Sequence, residues 1–186
     1  MTVKDVLKSA SNMVGRQDVY AYLDDAKNEV GEDTLPAIGV MTNLLNLVIG
    51  ELAGTFIPMV KREEITAKDG KIYFNSLSER CVRIISLLDR QGREISYGHT
   101  PEYMEVSSDF AVVEYEYIPP NYGLEDQIGY DQNQVSVGTL AYGLCAEYAI
   151  SKGNFDEAVM WHDRYVQSVS ERRKLKNGEI KKRSFV

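Results

Sequence analysis

The chain carries 186 residues, 44% of them hydrophobic, with a net charge of −7 and two cysteines. That composition supplies one sizeable core and excludes a chain disordered overall. No apolar run of about 18 residues stands out and the opening MTVKDVLKSA has no apolar signal core, so neither a membrane span nor a secretion leader is expected, and cytoplasmic synthesis follows.

Apolar residues at three- and four-residue spacing predict a first amphipathic helix over 3–14, with Val3, Val6, Leu7 and Ala10 on one face and Gly15 as its stop. A second is expected over 17–30, carrying Val19, Tyr22, Leu23 and Ala26, and ended by Gly31. Asp33 or Thr34 then caps a long third helix over 35–56, with Pro36 in its first turn. Its leucines and valines (Leu44, Leu45, Leu47, Val48, Leu52) and Phe56 occupy more than one face, which predicts a largely buried helix. Gly50 and Gly54, four apart, are expected at a close helix approach; Asn43, Asn46 and Glu51 argue against a membrane dimer motif there.

At Pro58 the period changes from about 3.6 to 2. VKREEITAKDGKIYFNSL alternates around Asp69–Gly70, a hairpin signal. CVRIISLLD, the short REISY after a turn at 90–92, and two strands about a turn at 107–109 follow. Short strands at roughly ten-residue spacing predict a small antiparallel sandwich or barrel, ended by Pro119–Pro120. Cys81 and Cys145 fall in a predicted strand and a predicted helix and read as reduced, buried thiols, with a disulfide or a shared metal as the alternative.

After an acidic loop, residues 138–169 read as two antiparallel helices. Leu140, Leu144, Tyr148 and Ala149 share a face of the first; Ala158, Trp161, Tyr165 and Val169 share a face of the second. Lys152 suits the last turn of the first helix, Gly153 its left-handed end, and Asn154 the cap of the next. The break GNFDEA resembles a tetratricopeptide repeat, yet no second copy stands at a 34-residue period. The fold class expected is therefore α+β: a helical bundle (1–57 and 119–176) with an inserted antiparallel β sandwich or barrel (58–118) and an extended basic tail (177–186).

Charge is unevenly spread. From Glu171 onward there are seven basic and two acidic residues, net +5, which leaves −12 on the rest. An acidic body with a basic tail predicts a tail that engages a partner, against the alternative of a solvated terminus. Catalytic constellations do not emerge: there is no phosphate loop, GxGxxG, CxxC or HExxH. His99 sits in an expected turn, His162 and Asp163 are helix neighbours that do not face each other, and Ser11, Ser76 and Ser136 lack a nucleophile-elbow context. Glu125, Asp126 and Asp131 lack the register of a calcium loop, and an ordinary solvated loop is expected. Tyr97, Tyr103, Tyr115, Tyr117, Tyr122 and Tyr130 concentrate in and just after the β segment, as strand packing or interface aromatics. No enzyme activity, cofactor or metal site is expected.

The hairpin AEYAISKGNFDEAVMWHDRYVQSV, the loop PPNYGLEDQIGYD before it, and the 35–56 helix feeding into strands resemble the head–tail connector adaptors of tailed bacteriophages, over nearly the whole chain. The resemblance implies a structural virion protein at the neck, made in the host cytoplasm: a homo-oligomeric ring, usually of twelve copies, docked beneath the portal protein and contacting tail or tail-completion proteins. DNA would pass through without sequence-specific binding, and no membrane is involved. By the same resemblance the tail residues Lys181, Lys182, Arg183, Phe185 and Val186 reach into the portal ring; the helical spacing, for its part, makes Leu140, Leu144, Tyr148, Trp161 and Tyr165 the hairpin core. A non-viral cytoplasmic interaction scaffold with a repeat-like hairpin is the competing reading.

Overall fold

The structure, a computed structural model, describes residues 1–26 and 31–176, with side chains through 171. Among the described residues the fold is mixed α+β: five helices, with two small three-stranded antiparallel sheets inserted between the third and the fourth. The chain divides into two compact units. A helical unit joins Met1–Ile49 to the chain from Asn121 onward, and a β unit spans Gly50–Pro120. Periodicity alone puts these boundaries at 57/58 and 118/119. The tail predicted over 177–186 lies outside the described residues.

In the helical unit, α1 (Val3–Met13) starts with a capping box: the Thr2 hydroxyl accepts from the Asp5 N–H at 3.2 Å, and the Thr2 N–H donates to Asp5 Oδ2 at 2.8 Å. Its apolar face (Val3, Val6, Leu7, Ala10) is fully buried. The second helix, α2 (Gln17–Asp24), is shorter than the expected 17–30. It ends where two aspartates in a row compete with the helical backbone; the Asp24 carboxylate is taken by Lys8, and Asp25 is already extended. The rest of the expected span, 27–30, lies outside the described residues.

The long third helix is α3 (Thr34–Glu51), continued by a π-helical turn, Leu52–Phe56, that the Ile57 N–H closes onto the Leu52 carbonyl at 2.8 Å. Here the expectation of a largely buried helix fails. Leu45, Val48 and Leu52 are buried, but Leu47 is 58% and Val40 44% exposed. Nor do Gly50 and Gly54 mark a close approach: a Cβ built on either meets nothing within 4 Å.

The close approach lies elsewhere. α4 (Val137–Ser151) is the centre of the helical unit, packed by α1 and by α5 (Phe155–Lys176). A Cβ on Gly143 of α4 would stand 2.7 Å from Val48 Cγ1 and 3.2 Å from Tyr165 Cδ2, so only a glycine lets α3, α4 and α5 meet there. The α4–α5 break is closed as its sequence implies. Gly153 takes φ +76°, its N–H donates to the Ile150 carbonyl at 3.0 Å, and the Asn154 N–H donates to the Ala149 carbonyl at 2.9 Å.

In the β unit, β1 (Met59–Thr66) and β3 (Arg80–Leu88) flank β6 (Phe110–Ile118), while β2 (Lys71–Tyr73) and β4 (Tyr97–His99) flank β5 (Tyr103–Val106). Side chains of both sheets share one core: Ile72, Met104 and Val106 from one, Leu87, Ala111, Val113 and Tyr115 from the other. The Asp69–Gly70 turn is present, with φ of 51° and 70° and paired bonds between Lys68 and Lys71 at 2.9 Å. It does not close a hairpin of long strands, however. It carries the chain from one sheet to the other, and so does the 107–109 turn. The expected strand REISY is reduced to a single bridge, Leu88 with Glu94, before β4. His99 consequently ends a strand instead of sitting in a turn.

Candidate interaction surfaces

The hairpin-core residues face inward. Leu140 and Leu144 are fully buried, Tyr165 and Tyr148 nearly so, and Trp161 is 7% exposed. Trp161 stacks on Tyr142 of α4 (centroids 6.0 Å apart, planes at 18°), donates its indole N–H to Glu157 Oε1 at 3.1 Å, and lies under the Arg164 guanidinium at 4.9 Å. These residues hold the hairpin together and leave no apolar surface for a partner.

The polar groups singled out by sequence are spent on the fold. The Asp126 Oδ2 accepts from the Gly123 N–H at 2.7 Å, and the carbonyls of Leu124 and Asp126 accept from Lys4 and Val3 at the start of α1. Asp131 Oδ1 accepts from the Asn133 N–H, and Glu125 lies 4.0 Å from Lys4. Among the described residues no group of three His, Cys, Asp or Glu converges as a metal site would require. Ser136 caps α4, Ser11 donates to the Lys8 carbonyl, and Ser76 donates to the Tyr73 carbonyl. His99 lies beside Phe74 and His162 beside Tyr165, in different units. Both cysteines are free thiols, and burial pushes the Cys145 thiol up to about 12.

One charged node is structural. Arg16 grips Asp18 through two bonds (2.8 and 2.6 Å), donates to the Tyr148 hydroxyl at 2.9 Å, and so ties the α1–α2 link to α4. Thr34 at the head of α3 donates to the same Asp18 at 3.1 Å. The Arg16 guanidinium, helped by the Val19 N–H and Thr34, holds the Asp18 carboxyl well below its usual range despite some desolvation.

Apolar side chains also remain on the surface. On α5, Phe155 (68% exposed), Val159 (61%) and Val166 run at i, i+4 and i+11, offset from the buried Ala158, Trp161, Tyr165 and Val169. Ile150 at the end of α4 and Met160 extend this patch, and the exposed Asp156 and Asp163 flank it. On α3, Val40 and Leu47 stand one heptad apart on an exposed face. The tyrosines split between roles: Tyr115 and Tyr130 are buried, whereas Tyr97 is exposed and Tyr103 lies in tilted contact with the exposed Tyr73, with Lys71 over its ring at 4.6 Å. A second apolar stripe on α5 is visible in the sequence once two offset series are sought on one helix. Reading one face per helix passes over it.

The segment Thr34–Phe56 is 23 residues with mean hydropathy 1.5, long and apolar enough to cross a membrane by length and composition, contrary to the expectation that no such window exists. Asn46 within it is committed to protein: its side-chain amide donates to the Tyr122 carbonyl at 3.0 Å and accepts from the Tyr122 N–H at 2.8 Å. Buried Ala37, Ile38, Met41, Leu45, Val48 and Ile49 likewise give the helix a protein-facing side.

An open groove of about 780 Å³ lies at the Asp89–Phe110 end of the β unit. Its cations are already engaged: Arg93 pairs with Asp89 at 2.8 Å, and Arg90 lies over the Phe110 ring at 4.8 Å.

No known family model matches the chain, and comparison with curated proteins finds no match.

Proposed function

We propose that this chain is a structural connector subunit of a tailed-phage neck: a ring-forming adaptor that docks beneath the portal, joins the DNA-filled head to the tail, and forms part of the DNA conduit. The observation that carries the reading is that the helical unit exposes two different apolar helix faces, Val40 with Leu47 on α3 and Phe155 with Val159 and Val166 on α5. A ring closes only through head-to-tail contacts, which need two unlike patches on each subunit. An apolar face left open in a single chain is also what an interface helix looks like before assembly. The body's net charge of −12 suits a conduit, because negative walls do not retain phosphates. In this reading α3 is a core helix with one side kept for a neighbour, and the segment 177–186 engages the portal through Lys181, Lys182, Arg183, Phe185 and Val186.

The test is assembly. The purified chain, alone and mixed with a tailed-phage portal protein from the same source, is sized by light scattering and imaged by electron microscopy. A closed ring on the portal is expected, and the pair Val40→Asp and Leu47→Asp should abolish it without changing the circular dichroism spectrum. A chain that stays monomeric with portal present, or that sediments with membranes, overturns the reading.

A further inference from the structure

We propose that the tip of the α4–α5 hairpin is a receptor for the basic segment 178–186 of a second copy of this chain. The inference rests on the ring reading above and names what occupies one of its two faces. The tip presents Ile150, Phe155, Val159 and Met160 as an exposed apolar patch, and the exposed carboxylates Asp156 and Asp163 border it. Neither carboxylate forms an ion pair among the described residues. The cations nearest in sequence are turned to rings: Lys152 lies over Tyr148 at 5.3 Å and Arg164 over Trp161 at 4.9 Å.

The segment GEIKKRSFV has the complementary order: Lys181, Lys182 and Arg183 next to the apolar pair Phe185 and Val186. Cations meeting the two aspartates would set the approach, and Phe185 would cover the patch on which Phe155 stands open.

Chain length argues for a second copy over the same one. The tip sits at the first residue of α5, and the segment leaves from its last, Lys176. Those ends are about 31 Å apart along a helix that rises 1.5 Å per residue. Phe185 lies nine residues beyond Lys176, a reach of about 30–32 Å only if the chain is fully extended and reverses at once. A neighbour's tip carries no such limit. The portal, where present, competes for the same residues.

The experiment uses the full chain without portal. Val159→Cys and Ser184→Cys are made in separate chains, which are mixed under mild oxidation. A disulfide-linked dimer of the two variants is expected. In parallel, Asp156→Lys with Asp163→Lys, and Lys181→Glu with Lys182→Glu, should each weaken self-association about tenfold, the scale of one desolvated charge pair, and the combined charge swap should restore it. Absence of the mixed dimer, or a cross-link that forms only within a chain carrying both cysteines, overturns the proposal. So does unchanged self-association in both charge variants. Unchanged self-association together with a ring that still forms on the portal in the Asp156→Lys with Asp163→Lys variant, whose basic segment is intact, leaves the connector reading standing while this inference fails.

Discussion

The two units solve close packing in different ways. In the helical unit the tightest point is steric: α3, α4 and α5 converge on Gly143, where a missing side chain lets Val48 and Tyr165 close in. In the β unit the corresponding point is polar. Tyr115, fully buried on β6, donates its hydroxyl to Glu63 Oε1 at 2.6 Å, and the same hydroxyl accepts from the Glu79 N–H at 3.3 Å. Ser78 adds two donors to Glu63, at 3.0 and 2.7 Å. Burial works to raise the Glu63 carboxyl, but these hydrogen bonds outweigh it and hold it below its ordinary value. Burial, helped by the bond to the same carboxylate, pushes the Tyr115 phenol up to about 12. At these two points, therefore, the helical unit is vulnerable to added volume and the β unit to loss of charge.

Trp161→Ala should have the largest effect, about 3–5 kcal/mol in urea unfolding, because a large aromatic stacked on Tyr142 leaves a cavity. An effect under about 1 kcal/mol would place Trp161 outside the core. Gly143→Ala comes next, at about 1–3 kcal/mol, since Val48 and the Tyr165 ring must give way. Trp161, the only tryptophan, reports that loss by fluorescence within the helical unit.

Tyr115→Phe is expected to cost about 1–2 kcal/mol at neutral pH through a lost bond to a carboxylate. It also tests what sets the acid dependence of the β unit. A carboxyl whose folded value is depressed contributes stability that is full above its unfolded value, 4.5 for Glu63, and is lost as pH falls through the folded value. Tyr115→Phe should flatten that acid dependence. A variant with an unchanged acid limb would show that the Glu63 cluster does not govern it. Gly50→Ala should show the smallest effect and the opposite sign, a gain of about 0.5–1 kcal/mol, because the site is helical and open.

Local chemistry was legible in the sequence, and partner choice was not. The α4–α5 break could be read because Gly153 needs a positive φ, and the Asp69–Gly70 turn for the same reason. Which strands pair could not, since β1 and β2 join different sheets despite the turn between them. The 3.6-residue period locates α3 but does not separate Leu45, buried in this chain, from Leu47, which is left open. An apolar residue kept for a neighbour has the same signature as one kept for the core. Gly143 was missed because a lone glycine in a helix pattern reads as a weak point until the two side chains beside it are known.

The reciprocal pair of bonds between the Asn46 amide and the Tyr122 backbone works as a neck clasp. One residue just before the insertion holds one just after it, so the helical unit fixes the separation of the two connecting strands by itself. The insertion then behaves as a cassette. Its loop-closure entropy is met at the clasp, and that cost grows only slowly with the length enclosed. A different module, or a short glycine–serine bridge, can stand in place of Gly50–Pro120 without changing how the helices around Gly143 meet.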